Sequence, residues 1–345
     1  MFCCAYGAQP QAAPEAKLTG ATLSPKDPGY IEEDPVLAKL VGKPAPALAL
    51  KSIDGKPIDL SGIYGKRPVY LKLWATYCIP CRVQTPGFKK IFASTGDRMT
   101  VIAVNAGLGD DIGKVKQFAR DFDLHMPVAI DDGRLVEWVG LKATPVHLVI
   151  GRDGRVIFAG HQDGPGLDAA IKQALASKAS PAGVATTKLA DLVALRTGDL
   201  VPPIALQSSD GKSMTLPHGP GSRLRAIYFS ATWCESYMKS TQPGEAENCR
   251  IGREQIDKLA SNRRMEWFGV MSHLWTTPKA LAKYESKMKP PLPLAVDSSG
   301  AAFRTFGVKR FPAVALIDTH GRLAKLIEGN PTQFAAAISS LQAGK

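Results

Sequence analysis

Two cysteines, Cys78 and Cys81, carry the clearest chemical signal in this chain of 345 residues. They are separated by two residues, so on a helix they lie about one turn apart and can close a disulfide. Such a pair can also supply half of a zinc site, which needs a second Cys or His pair at ligand spacing. No second pair of that kind occurs in the sequence, so we interpret Cys78 and Cys81 as a thiol-disulfide redox pair.

The segments around the pair favour redox chemistry over an inert structural disulfide. The apolar run 69–74 has the length and β-rich composition of a buried strand, and a polar, helix-compatible segment follows it. Cys78 is thus predicted at a strand-to-helix junction, where the positive end of the helix stabilises thiolate over thiol. Cys81, preceded by Pro80, falls inside the helix and is predicted not to be the first nucleophile.

The second half of the chain repeats segments of the first half. The recurring segments are Asp54-Gly55-Lys56 as Asp210-Gly211-Lys212, Ala75-Thr76-Tyr77-Cys78 as Ala231-Thr232-Trp233-Cys234, and Gly140-Leu141-Lys142 as Gly307-Val308-Lys309. The offset grows from 156 at the cysteine motif to 167 at the last pair. The sequence therefore predicts two copies of one domain, the second with about ten extra residues after Cys234.

Both copies predict the same order of elements. A hairpin is followed by a buried strand, the cysteine helix and a second buried strand (100–105 and 267–271). A further helix, two last strands around Asp153-Gly154 and His320-Gly321, and a C-terminal helix complete each copy. This order gives a mixed sheet with helices on both faces. We expect an α/β fold of two tandem domains, each with a mixed central sheet flanked by helices.

The first copy resembles the TlpA/ResA-type thiol-disulfide oxidoreductases of the thioredoxin superfamily. The matching segments are Val41-Gly42-Lys43-Pro44-Ala45-Pro46, Asp54-Gly55-Lys56, Trp74-Ala75-Thr76-Tyr77-Cys78-Ile79-Pro80-Cys81 and Thr144-Pro145. The resemblance implies that Cys78 attacks a substrate disulfide and Cys81 resolves the mixed disulfide. It also implies a cis Thr144-Pro145 peptide beside the cysteines, where Thr144 backbone groups pair with an extended substrate. Without the family, Thr144-Pro145 fits an ordinary turn equally well.

Two features depart from the family. Lys72 lies six residues before Cys78, where thioredoxins carry a buried acid and TlpA-like proteins often carry Asn. A lysine there can favour thiolate electrostatically, be neutral if buried, or reach the surface without a role. We count Lys72 and Trp74 among the candidate site residues. The acid that ResA-like proteins place after the next strand is absent from residues 105–108, which leaves Asp110 as the nearest candidate.

The second copy keeps only part of the cysteine motif. Cys234 has the nucleophile position, Tyr237 replaces the resolving cysteine, and the next cysteine is Cys249. On one continuous helix Cys249 would lie roughly 22 Å from Cys234, beyond disulfide reach. The segment 241–244 contains Pro and Gly and is predicted to break the helix, so that Cys249 can fold back.

Three interpretations of Cys234 and Cys249 stay open. They form a structural bridge, a switchable redox pair, or two independent thiols or copper ligands near Met271 and His273. The segment Phe311-Pro312 keeps the cis-proline position, so this copy is predicted to bind extended substrates even if its cysteines are inactive.

The N-terminus predicts export. Residues 1–8 end in small residues spaced like a signal-peptidase site but lack a basic segment, so we interpret them as the remnant of a longer signal peptide. A cytosolic protein is the alternative. Export leaves four cysteines, which can form two pairs in an oxidising compartment. The predicted divisions are a flexible segment at 9–40 with ordered structure from about Val41, a TlpA-type redox domain at 41–178, a linker at 179–192 and a divergent thioredoxin-like domain at 193–343.

Composition and missing motifs narrow the other classes of function. The apolar fraction of 45% is typical of a soluble globular protein. The net charge of +12 is spread over both copies; it suits acidic partners or an anionic membrane surface, and no nucleic-acid motif is present. The histidines show no ligand spacing, and the Pro-x3-Thr-x2-Cys arrangement of peroxiredoxins is absent. We predict no metal and no cofactor beyond the redox-active disulfide.

These features predict an extracytoplasmic, for example periplasmic, oxidoreductase that exchanges disulfides with protein substrates. Pro80 is shared with thioredoxin and TlpA and favours the reducing direction. A reductase outside the cytoplasm needs an electron source, so a membrane thiol-electron donor is the expected partner. The alternative is a client- or metal-binding envelope protein in which the second domain binds and the first only guards its thiols.

Overall fold

A computed structural model describes residues 31, 33–178, 183–261 and 265–343. The predicted signal-peptide remnant at 1–8 and most of the segment 9–40 lie outside these residues. The described strands form two seven-stranded sheets and one pair of short strands. The fold is α/β with two mixed sheets flanked by helices, as the sequence predicts. None of the helices within the described ranges is both long and apolar enough to cross a membrane.

Each half contributes one sheet. The elements of the first half are α1 (Pro35–Ala38), β1 (Ala45–Ala47), β2 (Ala49–Ser52), β3 (Pro57–Asp59), α2 (Leu60–Ile63), β4 (Val69–Trp74), α3 (Ile79–Val83), α4 (Thr85–Thr95), β5 (Thr100–Asn105), α5 (Ile112–Asp121), β6 (Val128–Ile130), α6 (Arg134–Val139), β7 (Val146–Ile150), β8 (Val156–Gly160) and α7 (Pro165–Ala176). Those that follow are β9 (Thr186–Lys188), β10 (Ala205–Gln207), β11 (Ser213–Thr215), β12 (Leu224–Ser230), α8 (Cys234–Tyr237), α9 (Pro243–Ala260), β13 (Met265–Ser272), α10 (Pro278–Met288), β14 (Leu294–Asp297), α11 (Ala301–Phe306), β15 (Ala313–Ile317), β16 (Leu323–Glu328) and α12 (Phe334–Ala343).

The two sheets have the same strand order. The first runs β3-β2-β6-β5-β4-β7-β8 and the second β11-β10-β14-β13-β12-β15-β16. In each, three central strands are parallel, the strand on either side of them is antiparallel to them, and each edge strand is antiparallel to its own neighbour. Every residue of the central strands β4 and β12 is buried, because helices cover both faces of the sheet. These buried strands fix the direction in which each cysteine motif leaves its sheet.

The extra residues of the second half form a longer helix. Helix α4 has 11 residues, whereas α9 has 18. A short 3-10 helix, Met238–Ser240, separates α8 from α9, and α9 starts at Pro243. The predicted helix break is thus confirmed. Its cause is Pro243, because proline is tolerated in the first turn of a helix but not in its interior.

The predicted start of ordered structure is wrong. Ordered structure starts before Val41, since α1 begins at Pro35, is capped by the Asp34 carboxylate and buries Leu37. The predicted linker 179–192 contains β9, which pairs in parallel with β1. A three-residue strand needs only backbone hydrogen bonds from its neighbour, so the small and polar residues of the segment gave no strand signal.

Candidate active site

The cysteine pair lies where the sequence predicts it, between β4 and α3. Cys78 is the N-cap of α3, and its Sγ accepts a hydrogen bond from the backbone N–H of Cys81 at 3.1 Å. The two cysteines form a disulfide with their Cα atoms 5.2 Å apart. Their exposed fractions are 0% and 1%. Helical N–H groups at this position stabilise a thiolate on Cys78 after reduction.

The Thr144-Pro145 peptide before β7 is cis, as the family resemblance implies. Thr144 is buried, and within the described part of the chain its Oγ1 has no hydrogen-bond partner. The carbonyl oxygen of Pro145 lies 2.7 Å from Nδ1 of His161, which fixes the loop against the end of β8. The loop is therefore a buried, well-anchored part of the first half.

Lys72 is buried on β4, with an exposed fraction of 2%, so the alternative in which it reaches the surface is wrong. Its Nζ lies 3.5 Å from the carbonyl oxygen of Cys81 and 5.3 Å from the ring centroid of Phe88. Burial lowers the pKa of Lys72 to about 7, although the negative charge of Asp163 acts in the opposite direction. Side chains alternate between the two faces of a β-strand, so Lys72 lies on the same face as Trp74, two residues later.

A small void lies beside Lys72 and the cysteine helix. It is lined by Lys72 and Trp74 of β4, by Cys81 and by Phe88. Trp74 packs on Phe118 with ring centroids 4.3 Å apart, and its indole N–H has no partner among the described residues. Lys72 and Cys81 thus line the same small, largely apolar space.

Asp110 supports the loop that carries Cys78. Its carboxylate accepts hydrogen bonds from the backbone N–H of Thr76 at 2.8 Å, from the Thr76 hydroxyl at 2.5 Å and from the Asn105 amide at 2.7 Å. Burial raises the pKa of Asp110, and these hydrogen bonds oppose that effect. Asp110, the nearest candidate for the acid after the second strand, therefore binds Thr76, which lies two residues before Cys78.

The second half also contains a disulfide. Cys234, at the start of α8, is joined to Cys249 of α9 with a Cα–Cα distance of 6.1 Å. Both cysteines are about 1% exposed. The structural and the switchable interpretations both require such a disulfide. His273, considered beside Met271 as a copper ligand, is a buried residue, and burial lowers its pKa to about 3.

The Phe311-Pro312 peptide is also cis, and helix α9 covers it. A Cβ atom at Gly252 of α9 would lie 2.7 Å from the Pro312 ring, so only glycine lets the helix pack this closely. Phe311 is 3% exposed. The predicted substrate loop of the second half is thus buried under the helix that carries Cys249.

Comparison with known proteins assigns the first half. Residues 41–159 match the model of the AhpC/TSA family. Over 142 residues the chain is 32% identical to the thiol-disulfide oxidoreductase ResA of Bacillus cereus, and this covers 41% of the chain and 79% of that protein. The chain belongs to the ResA-type thiol-disulfide oxidoreductases. The oxidoreductase is also 37% identical over 91 residues to the thioredoxin-like protein YneN of Bacillus subtilis, which covers 26% of this chain and 53% of YneN.

A solved structure is similar to part of the oxidoreductase. The crystal structure of a thiol:disulfide interchange protein of the thioredoxin family from Chlorobium tepidum is 22% identical. It covers 39% of the oxidoreductase and 97% of its own chain, with a TM-score of 0.35. The curated relatives likewise align with less than half of the oxidoreductase.

A chain of buried polar groups behind the active site was not predicted from the sequence. The Tyr70 hydroxyl lies 2.6 Å from Nδ1 of His147, whose Nε2 lies 2.8 Å from Oε1 of Gln84. The Gln84 amide donates to the carbonyl oxygen of His161 at 3.0 Å. Burial lowers the pKa of His147 well below its usual value, so this histidine is neutral. The histidine inside the otherwise apolar run 146–150 was the available signal.

Removal of the second disulfide gives a stability prediction. The bridge closes a loop of about 15 residues, and loss of a bridge of that size costs about 3 kcal/mol of unfolding free energy. The double variant Cys234→Ser/Cys249→Ser of the oxidoreductase should therefore have an unfolding free energy lower by about that amount, and its urea midpoint should be lower than that of the wild type. Urea unfolding of the wild type, with and without prior reduction, provides the comparison. An unchanged midpoint in the double variant would contradict a stabilising role.

Proposed function

We propose that the chain reduces disulfides of other proteins, outside the cytoplasm, by dithiol-disulfide exchange through Cys78 and Cys81. One observation carries the proposal: a Cys78–Cys81 disulfide at the start of a helix that follows β4, with cis-Pro145 directly before β7, the strand that pairs with β4. We also propose that the two sheets correspond to two domains at 41–178 and 193–343. The second disulfide supports an oxidising compartment, where paired cysteines persist.

The proposed reaction consists of two exchange steps. In the reduced protein the Cys78 thiolate attacks one sulfur of the substrate disulfide, and the other substrate sulfur leaves as a thiolate. Cys81 then gives up its proton, and its sulfur attacks Sγ of Cys78 in the mixed disulfide. The second substrate sulfur leaves, so two electrons have passed to the substrate and the Cys78–Cys81 disulfide has formed.

We propose that Lys72 accepts the proton that the Cys81 thiol loses in the resolving step. The neutral amine of a buried lysine is a base, and a pKa of about 7 is matched to a thiol that must ionise near neutral pH. Lys72 already lies beside Cys81, with its Nζ 3.5 Å from the Cys81 carbonyl oxygen. The amine would take the position that an acid holds in thioredoxins and would accept the proton of the Cys81 thiol.

Substrate binding and electron supply complete the proposal. Backbone groups of Thr144, before cis-Pro145, would pair with an extended segment of the substrate protein. Continued turnover needs a donor that reduces the Cys78–Cys81 disulfide, and a membrane thiol-electron donor would supply these electrons to a protein outside the cytoplasm. The shared Pro80 supports the reducing direction by resemblance.

A redox titration tests the proposal. The purified protein is equilibrated in graded glutathione buffers, free thiols are alkylated, and each cysteine is quantified by mass spectrometry. We expect Cys78 and Cys81 to change together from thiol to disulfide as a two-electron couple within the buffer range. A Cys78–Cys81 bond that stays oxidised in every buffer would contradict a redox role. Titration of Cys234 and Cys249 over the same range would make the second half a further redox centre.

A further inference from the structure

The second half of the chain lies directly on the active site of the first half. We call the surface formed by residues 76–79 and the Thr144 loop the redox face. The backbone N–H of Ile79, next to Cys78, donates to the Tyr237 hydroxyl at 3.0 Å. The Thr241 hydroxyl donates to the carbonyl oxygen of Tyr77 at 3.3 Å. These contacts come from the residues that follow Cys234, so the two cysteine motifs face each other.

Aromatic rings fill the space between the two motifs. The ring of Tyr77, fully buried, lies 5.4 Å from that of Trp233 and 6.0 Å from that of Trp275. The Trp275 ring is in turn 5.6 Å from that of Tyr237, and the Trp233 ring is 5.8 Å from that of Phe311. Such ring pairs exclude water and add to the stability of an interface. The residue before each first cysteine thus contacts the residue before the other.

Polar contacts extend the interface to the base of the loop. The Gln242 amide donates to the Thr76 hydroxyl and, at 3.3 Å, to the Asp110 carboxylate. Lys114 of α5 forms an ion pair with Glu245 of α9 at 2.5 Å. Gln242 therefore binds the same carboxylate that holds the Cys78 loop in place.

The interface has an approximate two-fold symmetry. The backbone N–H of Trp275 donates to the carbonyl oxygen of Lys142 at 2.8 Å, and the N–H of Gly109 donates to that of Lys309 at 2.7 Å. Lys142 and Lys309 each lie three residues before a cis-proline, and Gly109 and Trp275 each follow a central strand. A self-complementary contact of this kind is the usual geometry of a stable dimer between like domains.

The contact closes the redox face. Cys78 is 0% exposed and Thr144 is 1% exposed, although disulfide exchange needs a substrate sulfur at Cys78 and a substrate strand at Thr144. We propose that the second half is a built-in ligand of the redox face, and that protein substrates reach Cys78 only when the two halves separate. This regulation rests on the proposed function, since it controls the same cysteine pair.

Carbodiimide cross-linking of the reduced full chain tests closure. Lys114 and Glu245 are 25% and 22% exposed, so the reagent can join their side chains through an amide bond. We expect the Lys114–Glu245 amide in the peptide map, and we expect the joined protein to react with a polyethylene-glycol maleimide at Cys78 about tenfold more slowly. The variant Glu245→Gln, treated identically, is the control. An absent cross-link, or an unchanged Cys78 rate in the joined protein, would overturn the proposal.

A second variant opens the interface without touching a cysteine. Trp275→Ala removes the ring contacts to Tyr77 and should increase the rate of Cys78 alkylation about tenfold. Tyr284→Ala is the matched control, because Tyr284 packs on the core of the second half. Circular dichroism checks that both variants fold. Equal alkylation rates in the two folded variants would overturn the proposal. Alkylation needs no protein substrate, so this result is independent of whether the chain reduces proteins.

Discussion

Replacement of Cys78 by serine is expected to abolish insulin reduction, with a rate loss of roughly 10³-fold or more. A serine hydroxyl does not form a thiolate near neutral pH and cannot open the substrate disulfide. Of the two described cysteines of the first half, Cys78 is the one whose Sγ accepts a helical N–H, that of Cys81. Insulin turbidity with dithiothreitol as the electron source measures the loss.

The companion variant Cys81→Ser separates the two exchange steps. Cys78 can still attack the substrate, but the mixed disulfide cannot be resolved, so a covalent complex with the substrate protein should accumulate on non-reducing gels. A Cys78→Ser protein that keeps full activity would move the redox role to Cys234 and Cys249. A Cys78→Ser protein that loses reduction yet retains a bound client protein would instead favour the client-binding alternative.

Replacement of Lys72 by methionine is expected to stabilise the protein at neutral and acidic pH. Burial lowers the pKa of Lys72 from 10.5 to about 7, so between these values the unfolded chain binds more protons than the native protein. The unfolding free energy of the wild type should therefore rise as the pH increases from 7 to 10.5. Below pH 7 the full burial penalty remains, and its removal is worth up to about 5 kcal/mol.

Urea unfolding at several pH values checks the Lys72 prediction. The advantage of Lys72→Met should be largest near pH 6 and should shrink toward pH 10. Lys51→Met, on the exposed side of β2, is the control and should show no such dependence. A Lys72→Met protein that is less stable at every pH would show that the amine is charged and well paired. Stopped-flow measurement of the resolving step adds a kinetic test, because the methionine variant should lose the rise in rate near pH 7.

Local sequence signals predicted much of the first half. The β-rich apolar run 69–74 corresponds to β4, and the run 100–105 corresponds to β5. Both strands are buried on two faces, so their composition is nearly continuous and easy to recognise. The cis Thr144-Pro145 peptide was available only through the family, because an X-Pro pair alone is compatible with either isomer.

Contacts between distant segments could not be predicted in the same way. Tyr237 fills the position of a resolving cysteine in its own half, yet its hydroxyl binds Ile79 of the other half. Nothing in the composition around Tyr237 marks that partner, because the contact depends on the packing of two sheets. The burial of Lys72 was also hidden, since a lysine usually extends its charged end to water.

Strand β9 attaches the segment between the two halves to the first half, and this attachment affects the effective concentration of one half around the other. Pairing of β9 with β1 holds the chain to the first half as far as Lys188, and Leu195 already donates to Thr305 of the second half at 2.8 Å. The few residues between these anchors span roughly 25 Å when extended. A tether this short gives the separated halves an effective concentration in the millimolar range. Dilution therefore leaves their association unchanged, and a substrate protein must compete with a neighbour that never diffuses away.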